Sequence, residues 1–275
     1  MLKEVFQTYR WRFIFNFALN LVESGLSLLF PLFIGIAVDS AVEGESSGAM
    51  QLGGLGILAL IFGAGRRFFD TRFYAKVFQS QGSAIISRIP DKDTSTKTAR
   101  LGMLRELVEF FEQSIPAIIE SGIALVGVII IIASLSLPTF LGCLVTTVLI
   151  ALLYMLTQKR TIHYNKGYND ELENQVNVID SNEAEEIDQH LKRTMRWNIR
   201  LSDLETFNFS ISWTLLMAFL VVSIVYAAGA GEAQVSTLFV LVMYVFQYIE
   251  NVVSLPYFYQ QWLRLIEIKS RLETY

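Results

Sequence analysis

Residues 11–39 read WRFIFNFALNLVESGLSLLFPLFIGIAVD, and this stretch predicts the fold. It holds about 27 nearly uninterrupted apolar residues, with basic residues at its start and acidic residues at and after its end. At 1.5 Å per residue it forms a helix of roughly 40 Å, which is long enough to cross a bilayer with tilt. Two residues are unusual for such a span, because Glu23 places a carboxylate near the middle and Pro31 lacks a backbone N–H.

The composition of the whole chain indicates a membrane protein. Its 275 residues are 53% hydrophobic and 17% charged, whereas soluble domains average about 25% charged residues. The apolar residues fall into six runs, which predict an all-α polytopic membrane protein with one six-helix transmembrane domain over residues 1–275. The predicted spans are about 12–38, 50–67, 114–136, 138–160, 206–228 and 234–258. The second span is rich in glycine, so we expect it to pack inside the bundle rather than face lipid.

The basic residues are segregated along the chain. All 22 Lys and Arg lie near the two termini or in the two long segments that follow spans two and four. The three short loops carry no Lys or Arg, and their charged residues are all acidic. The positive-inside rule therefore predicts that both termini and both long segments are cytoplasmic. We expect the chain to lie in the bacterial inner membrane.

The two long segments, 67–113 and 159–205, are predicted to form helical hairpins. Each has apolar residues on a helical period and a turn signal near its centre, around 90–93 and 180–182. Spans two to five should therefore continue as helices into the cytoplasm, in arms on the order of 30 Å long. Both arms mix acids with bases, which argues against nucleic-acid binding.

The histidines and the single cysteine give no sign of a metal or catalytic site. His163 and His190 lie in the second hairpin without metal-ligand spacing, so we expect both on a solvated helix surface. Cys143 lies in an apolar run and is expected to be a small buried hydrophobic residue. We therefore expect no cofactor, no metal and no enzymatic activity.

Six spans, short acidic outer loops and two long cytoplasmic hairpins resemble the transmembrane domain of type I ABC exporters. Three stretches strengthen the resemblance: LVESGLSLLFPLFIGIAVDSAV (21–42) is similar to the first helix, RLGMLRELVEFFEQSIPAII (100–119) to the return from the first hairpin, and LPYFYQQWLRLIEIKSRLETY (255–275) to the end of the sixth helix. The resemblance covers essentially the whole chain. It implies transport by alternating access, and a homodimer in which hairpins of one copy pack on the other.

The 275 residues contain no GxxxxGK[ST] phosphate loop, so we expect that this chain does not hydrolyse ATP. Three alternatives stay open. The first is a carrier for an amphiphilic or peptide-like solute that uses another energy source, such as the proton gradient used by stand-alone membrane domains of this family. The second is a membrane subunit driven by a separate ATPase that docks at the hairpin tips, near 90–95 and 180–185. The third is a non-transporting scaffold or regulator.

Three carboxylates lie within the apolar spans, at Glu23, Glu120 and Glu250. A charge in the bilayer is costly unless it is paired or hydrated, so these residues are candidate cavity or proton-coupling sites. We expect Glu23 and Glu250 near the middle of the membrane. We expect Glu120 near the inner interface, where pairing with Arg66 or Arg67 is the simpler explanation. The alternative for each carboxylate is a structural hydrogen bond between helices.

Pro31 and Pro256 interrupt the backbone hydrogen bonds of the first and sixth spans, and are candidate hinges. A static kink is the alternative reading of both. The sixth span also places Gln247, Asn251 and Ser254 among several aromatic residues. This mixture suits a cavity for amphiphilic molecules, and equally suits an interfacial belt with polar helix contacts.

Overall fold

The computed structural model describes residues 2–88, 94–229 and 235–273, and every element within these ranges is helical. This confirms the all-α prediction. The elements are α1 (Leu2–Val42), α2 (Ser47–Arg88), α3 (Thr94–Glu109), a π-helical segment (Phe110–Ser114), α4 (Ile115–Leu135), α5 (Leu137–Ser181), α6 (Ala184–Gly229) and α7 (Val235–Glu273).

Six helical segments are long and apolar enough to cross a membrane, as the six apolar runs predict. An α-helix satisfies its backbone N–H and C=O groups within the segment, which is what a chain in lipid requires. The chain is therefore an integral, multi-pass membrane protein. The first of the six segments begins at Tyr9, where the backbone of α1 departs from helical angles (φ −112°, ψ 19°).

The helices that enter and leave the long segments extend well beyond a bilayer. α2 has 42 residues, and α5 and α6 have 45 and 46, so their lengths are about 63 to 70 Å against a hydrocarbon core of about 30 Å. This confirms that the spans continue as hairpin arms. The second hairpin turns at Asn182, whose φ of +53° lies in the left-handed region. The turn predicted at 90–93 lies outside the described residues.

Two compact units make up the chain. The first comprises Met1–Leu137 and Ala227–Tyr275, and so contains α1 to α4 and α7. Within it α1 packs along α2 and also contacts α4 and α7, while α4 and α7 pack on each other. An aromatic cluster joins α1, α2 and α3 where Phe13 meets Phe73 edge-to-face (ring centroids 5.0 Å apart), next to buried Leu104.

The second unit, Pro138–Tyr226, consists of most of α5 and α6. Its two helices approach each other closely at two glycines of α5. A Cβ built on Gly142 would lie 2.6 Å from Phe219, and one built on Gly167 would lie 2.6 Å from the Trp197 ring. Larger residues at either position would separate the helices. Cys143 is fully buried, as expected.

The expectation for His190 is wrong, whereas His163 is exposed as expected. His190 is 3% exposed between α5 and α6, and its Nδ1 lies 3.2 Å from Glu171 Oε2. The same carboxylate accepts a hydrogen bond of 3.1 Å from Arg193 Nε. The polar composition of this arm gives no indication of which face its partner helix covers, so the sequence alone predicts a solvated position for His190.

Two further features of the spans differ from expectation. The third span contains a π-helical turn, in which the N–H of Ile115 donates to the carbonyl of Phe110. The next residue, Pro116, has no N–H, so it cannot bond the carbonyl of Glu112 as an α-helix would require. The glycine-rich part of α2 is not packed inside the chain. Four of its five glycines would meet no atom within 4 Å if given a Cβ, and they are Gly53, Gly54, Gly56 and Gly65.

Candidate functional site

A buried ionic network joins α1 to α2. Arg66 on α2 donates through Nε to Glu23 of α1 and through Nη1 to Asp70, 3.1 Å away and one turn further along its own helix. Asn16 of α1 donates through Nδ2 to the second oxygen of Asp70. The side chains of Arg66, Glu23 and Asp70 are 11%, 17% and 5% exposed. One guanidinium therefore serves two carboxylates, and the network connects two helices within their membrane-spanning segments.

Helical spacing explains how these residues meet. Asn16 and Glu23 are seven residues apart, so they lie two turns apart on one face of α1. Arg66 and Asp70 are four residues apart and lie on adjacent turns of α2. Gly63 makes room for the carboxylate, since a Cβ there would lie 2.9 Å from Glu23 Oε1. The same glycine and glutamate line a groove of about 550 Å³ along α2.

A separate cleft of about 360 Å³ opens between α1, α4 and α7 of the first unit. The residues that line it recur at intervals of three or four on each helix, so that three helical faces converge. Its polar lining residues include Ser24, Glu120, Ser121, Gln247, Glu250 and Asn251. No Lys, Arg or His among the described residues lines this cleft. Two carboxylates thus face a polar cleft inside segments that are otherwise apolar.

One hydrogen bond between α4 and α7 places Glu120 and Glu250 at a similar height along these two helices. Ser121 Oγ of α4 donates to Asn251 Oδ1 of α7 at 2.9 Å, and each partner directly follows a glutamate, Glu120 or Glu250. Glu120 and Glu250 therefore lie at a similar height along the helices, and the depth of either in the membrane stays a prediction. The helical segment that contains the third apolar run extends from Leu104 to Leu135.

Half of the side-chain hydroxyl and amide protons of the cleft lining are donated to oxygens of described residues. Ser24 Oγ donates to the carbonyl of Asn20 (2.8 Å), Ser254 Oγ to that of Glu250 (2.8 Å), and Asn251 Nδ2 to that of Gln247 (2.7 Å). Acceptors remain unused. Gln247 Oε1 and Asn20 Oδ1 are buried and accept no hydrogen bond from a described residue.

The helix of α1 continues through Pro31, and a tyrosine bonds its backbone one residue further along than the carbonyl of Ser27, which the proline leaves without an N–H. The hydroxyl of Tyr244 donates to the carbonyl of Leu28 at 2.7 Å and also interacts with the backbone of Leu32. Side-chain insertion between such a carbonyl and the N–H four residues on is a recognised cause of helix bending. α7 likewise continues through Pro256. Whether either proline acts as a hinge stays a prediction.

The structure separates the three predicted carboxylates into two environments. Glu23 is bonded to Arg66, whereas Glu120 and Glu250 share the cleft and form no ion pair with a described residue. Arg66 thus pairs with Glu23 and Asp70 rather than with Glu120. In the sixth span Gln247, Asn251 and Ser254 all line the cleft. The cavity reading of these three polar residues is therefore supported by their position.

Sequence reasoning missed Asn16 and Asp70 as members of the network. A signal was available, because Asn16, Asn20 and Ser24 recur every four residues through an apolar span, and Arg66 and Asp70 are also four apart. Among the described residues, no group of three or more His, Cys, Asp or Glu could hold a metal ion.

Comparison with known proteins places the chain in a family. No curated protein matches the chain. A family model described as "ABC transporter transmembrane region" matches residues 2–237, which is most of the 275 residues. The match extends over α1 to α6 and the start of α7, so it includes two of the three helices around the cleft in full. The chain therefore belongs to the ABC transporter transmembrane region family.

Proposed function

We propose that this protein is a transporter that moves an amphiphilic or peptide-like solute across the membrane by alternating access, with the cleft between α1, α4 and α7 on the solute path. Family membership supports the transport role. The observation that carries the proposal is the cleft itself, since two carboxylates and several amides and hydroxyls face an open volume within membrane-spanning segments. Polar groups within such segments commonly mark a solute or ion path.

Proton coupling is the energy source that we propose first. Glu120 and Glu250 are the better candidates by geometry, because neither is paired with a described cation. Glu23 stays a candidate, but its bond to Arg66 would have to break or weaken for it to bind a proton. Pro31 and Pro256 are proposed hinges, at points where α1 and α7 lack a backbone hydrogen bond next to the cleft.

The working unit that we propose is a homodimer with both termini in the cytoplasm of a bacterium. The second unit is a pair of helices, and a Cβ built on Gly53, Gly54, Gly56 or Gly65 of α2 would meet no described atom within 4 Å. Small residues allow helices to approach closely in lipid, so this face suits a helix of a second copy. Labelling of single cysteines placed at 43 and 182, in intact and opened cells, would test which side each loop occupies.

Purified protein in liposomes tests the transport proposal. Uptake of rhodamine 6G and of a labelled apolar peptide would be followed under an imposed pH gradient without nucleotide. We expect uptake that depends on the gradient and is lost in Glu250→Gln, and that is kept in Glu43→Gln, which neutralises an exposed carboxylate of the outer loop. Uptake that is unaffected by the gradient or by Glu250→Gln would contradict proton coupling.

A separate ATPase is the second candidate for the energy source. It is favoured by the family, which is that of ABC transporters, and by two hairpins long enough to hold a partner away from the bilayer. The docking site would be the hairpin tips near 90–95 and 180–185. Transport that occurs only with an added ATPase chain and ATP would establish this alternative. If no condition moves any solute, the scaffold or regulator hypothesis replaces both.

A further inference from the structure

The cleft between α1, α4 and α7 has an excess of hydrogen-bond acceptors, and this indicates the chemistry of its ligand. Glu120 and Glu250 contribute two carboxylates, and the lining contains no Lys, Arg or His from the described part of the chain. A carboxylate in a partly enclosed site is stabilised by a cation or by several hydrogen-bond donors. Within the described residues neither glutamate forms an ion pair, so the cleft offers two carboxylates that no described cation neutralises directly.

Two buried amide oxygens add to this excess independently of the carboxylates. Gln247, whose Oε1 is buried and unpartnered, lines the cleft. Asn20 is 2% exposed, its Oδ1 is likewise unpartnered, and it lies one turn from Ser24 of the lining. An unsatisfied buried acceptor costs about 1–3 kcal/mol, so a ligand donor that reaches Gln247 Oε1 would be stabilising.

Half of the protein's own donors in this lining are already bonded to other protein oxygens. The hydroxyl protons of Ser24, Ser121 and Ser254 and one amide proton of Asn251 are directed to protein oxygens. These oxygens keep lone pairs free, which enlarges the acceptor set. A neutral or anionic ligand that brings few donors would leave the buried acceptors unsatisfied.

We propose that this cleft binds the protonated primary amine of an organic cation, with Glu120 and Glu250 as counter-charges and Gln247 as a further acceptor. A primary ammonium carries three donors on a compact charge and so matches a site rich in acceptors. The ring of Phe258, which also lines the cleft, would contact the apolar body of the same molecule. This inference rests on the proposed function, since it names the solute class for the proposed path.

Binding can be measured without transport, on the full chain in nanodiscs of phosphatidylcholine, a lipid without net charge. The probes are benzylamine, benzyltrimethylammonium, benzyl alcohol and benzoate, which share one ring and differ in charge and donors. Isothermal titration calorimetry is expected to detect benzylamine, to show weaker binding of the trimethyl and neutral analogues, and to show none of benzoate. Equal affinity for benzylamine and either of the two weaker probes would overturn the proposal.

The variants assign the binding to the cleft. Glu250→Gln and Glu120→Gln are each expected to weaken benzylamine binding by about 10- to 100-fold, as loss of a charge-assisted hydrogen bond implies. Glu250→Asp keeps the charge and should retain most of the affinity. Glu43→Gln should change nothing, because that carboxylate is exposed in the outer loop. Gel filtration checks that each variant is folded, and unaltered binding in a folded Glu250→Gln protein would overturn the assignment.

Failure of this inference differs from failure of the proposed function. Cleft-dependent binding of benzylamine without uptake of any solute in liposomes would contradict transport and leave the ammonium site established. Gradient-driven uptake of other solutes, with no benzylamine binding, would contradict the ammonium site and leave transport standing.

Discussion

Replacing Arg66 with methionine is expected to destabilise the first unit strongly, because it leaves two buried carboxylates without their cation. Arg66 bonds Glu23 across the α1–α2 contact and Asp70 within α2, and all three side chains are less than one-fifth exposed. At the 3.1 Å separation of Arg66 and Asp70, an effective dielectric of 20 gives an attraction of about 5 kcal/mol before desolvation is counted. Breaking a buried pair by removing one partner typically costs about 3–5 kcal/mol.

The reasoning predicts more than simple loss of stability. If the cost comes from unpaired charge, then neutralising the carboxylates should restore much of it. Arg66→Met combined with Glu23→Gln and Asp70→Asn is therefore expected to be more stable than Arg66→Met alone, although it has more substitutions. Arg72→Met, on the exposed side of the same helix, is the matched control and should change stability by about 0.5 kcal/mol or less.

Unfolding would be followed in detergent micelles through the four tryptophans, by heating and by titration with sodium dodecyl sulfate. The assay compares wild type, the single variant, the triple variant and the control in one detergent at one protein concentration, since association shifts apparent stability. A triple variant less stable than Arg66→Met would refute the view that uncompensated charge is the cause. An Arg66→Met variant that is as stable as Arg72→Met would refute it as well.

Three further changes test other contacts. Tyr244→Phe leaves the carbonyl of Leu28 without its side-chain donor and is expected to cost about 1–3 kcal/mol in the same unfolding assay. Gly35→Ala would place a Cβ 2.3 Å from a side chain of α7 and should cost about 1–3 kcal/mol, whereas Gly53→Ala meets no atom within 4 Å and should raise stability by up to about 1 kcal/mol. A Gly53→Ala variant that instead lowers the yield of dimer on gel filtration would locate the homodimer contact. His190→Ala removes a buried contact between α5 and α6 and should speed proteolysis near residue 182.

The topology could be predicted from sequence because bilayer physics acts on averages over many residues. Six long apolar runs, the segregated basic residues and the turn at Asn182 all concern single helices or their ends, and each prediction is confirmed in α1 to α7 except the membrane sidedness, which stays a prediction. The site depends on pairs of helices. Arg66 lies 43 residues from Glu23, and Ser121 lies 130 residues from Asn251. Hydropathy contains no information on which faces meet, so it assigns Glu23 and Glu250 the same role, although Glu23 is paired with Arg66 and Glu250 forms no ion pair with a described residue.

Glu120 and Glu250 form no ion pair with a described residue, and this links the two proposals made for the cleft. If an ammonium ion and a proton both neutralise these carboxylates, they compete, and a carrier using the cleft exchanges one for the other. The charged groups acting on Glu120 from the neighbouring helices are Glu23, Arg66 and Arg67, and these offset one another in part. Benzylamine affinity is therefore expected to fall as the pH is lowered from neutral, because a protonated carboxylate no longer attracts the ammonium while the amine itself keeps its charge. Glu120→Gln should flatten this dependence. An affinity that stays constant between neutral and acidic pH in the wild-type protein would mean that protons and amines do not share the site, and exchange through it would be excluded.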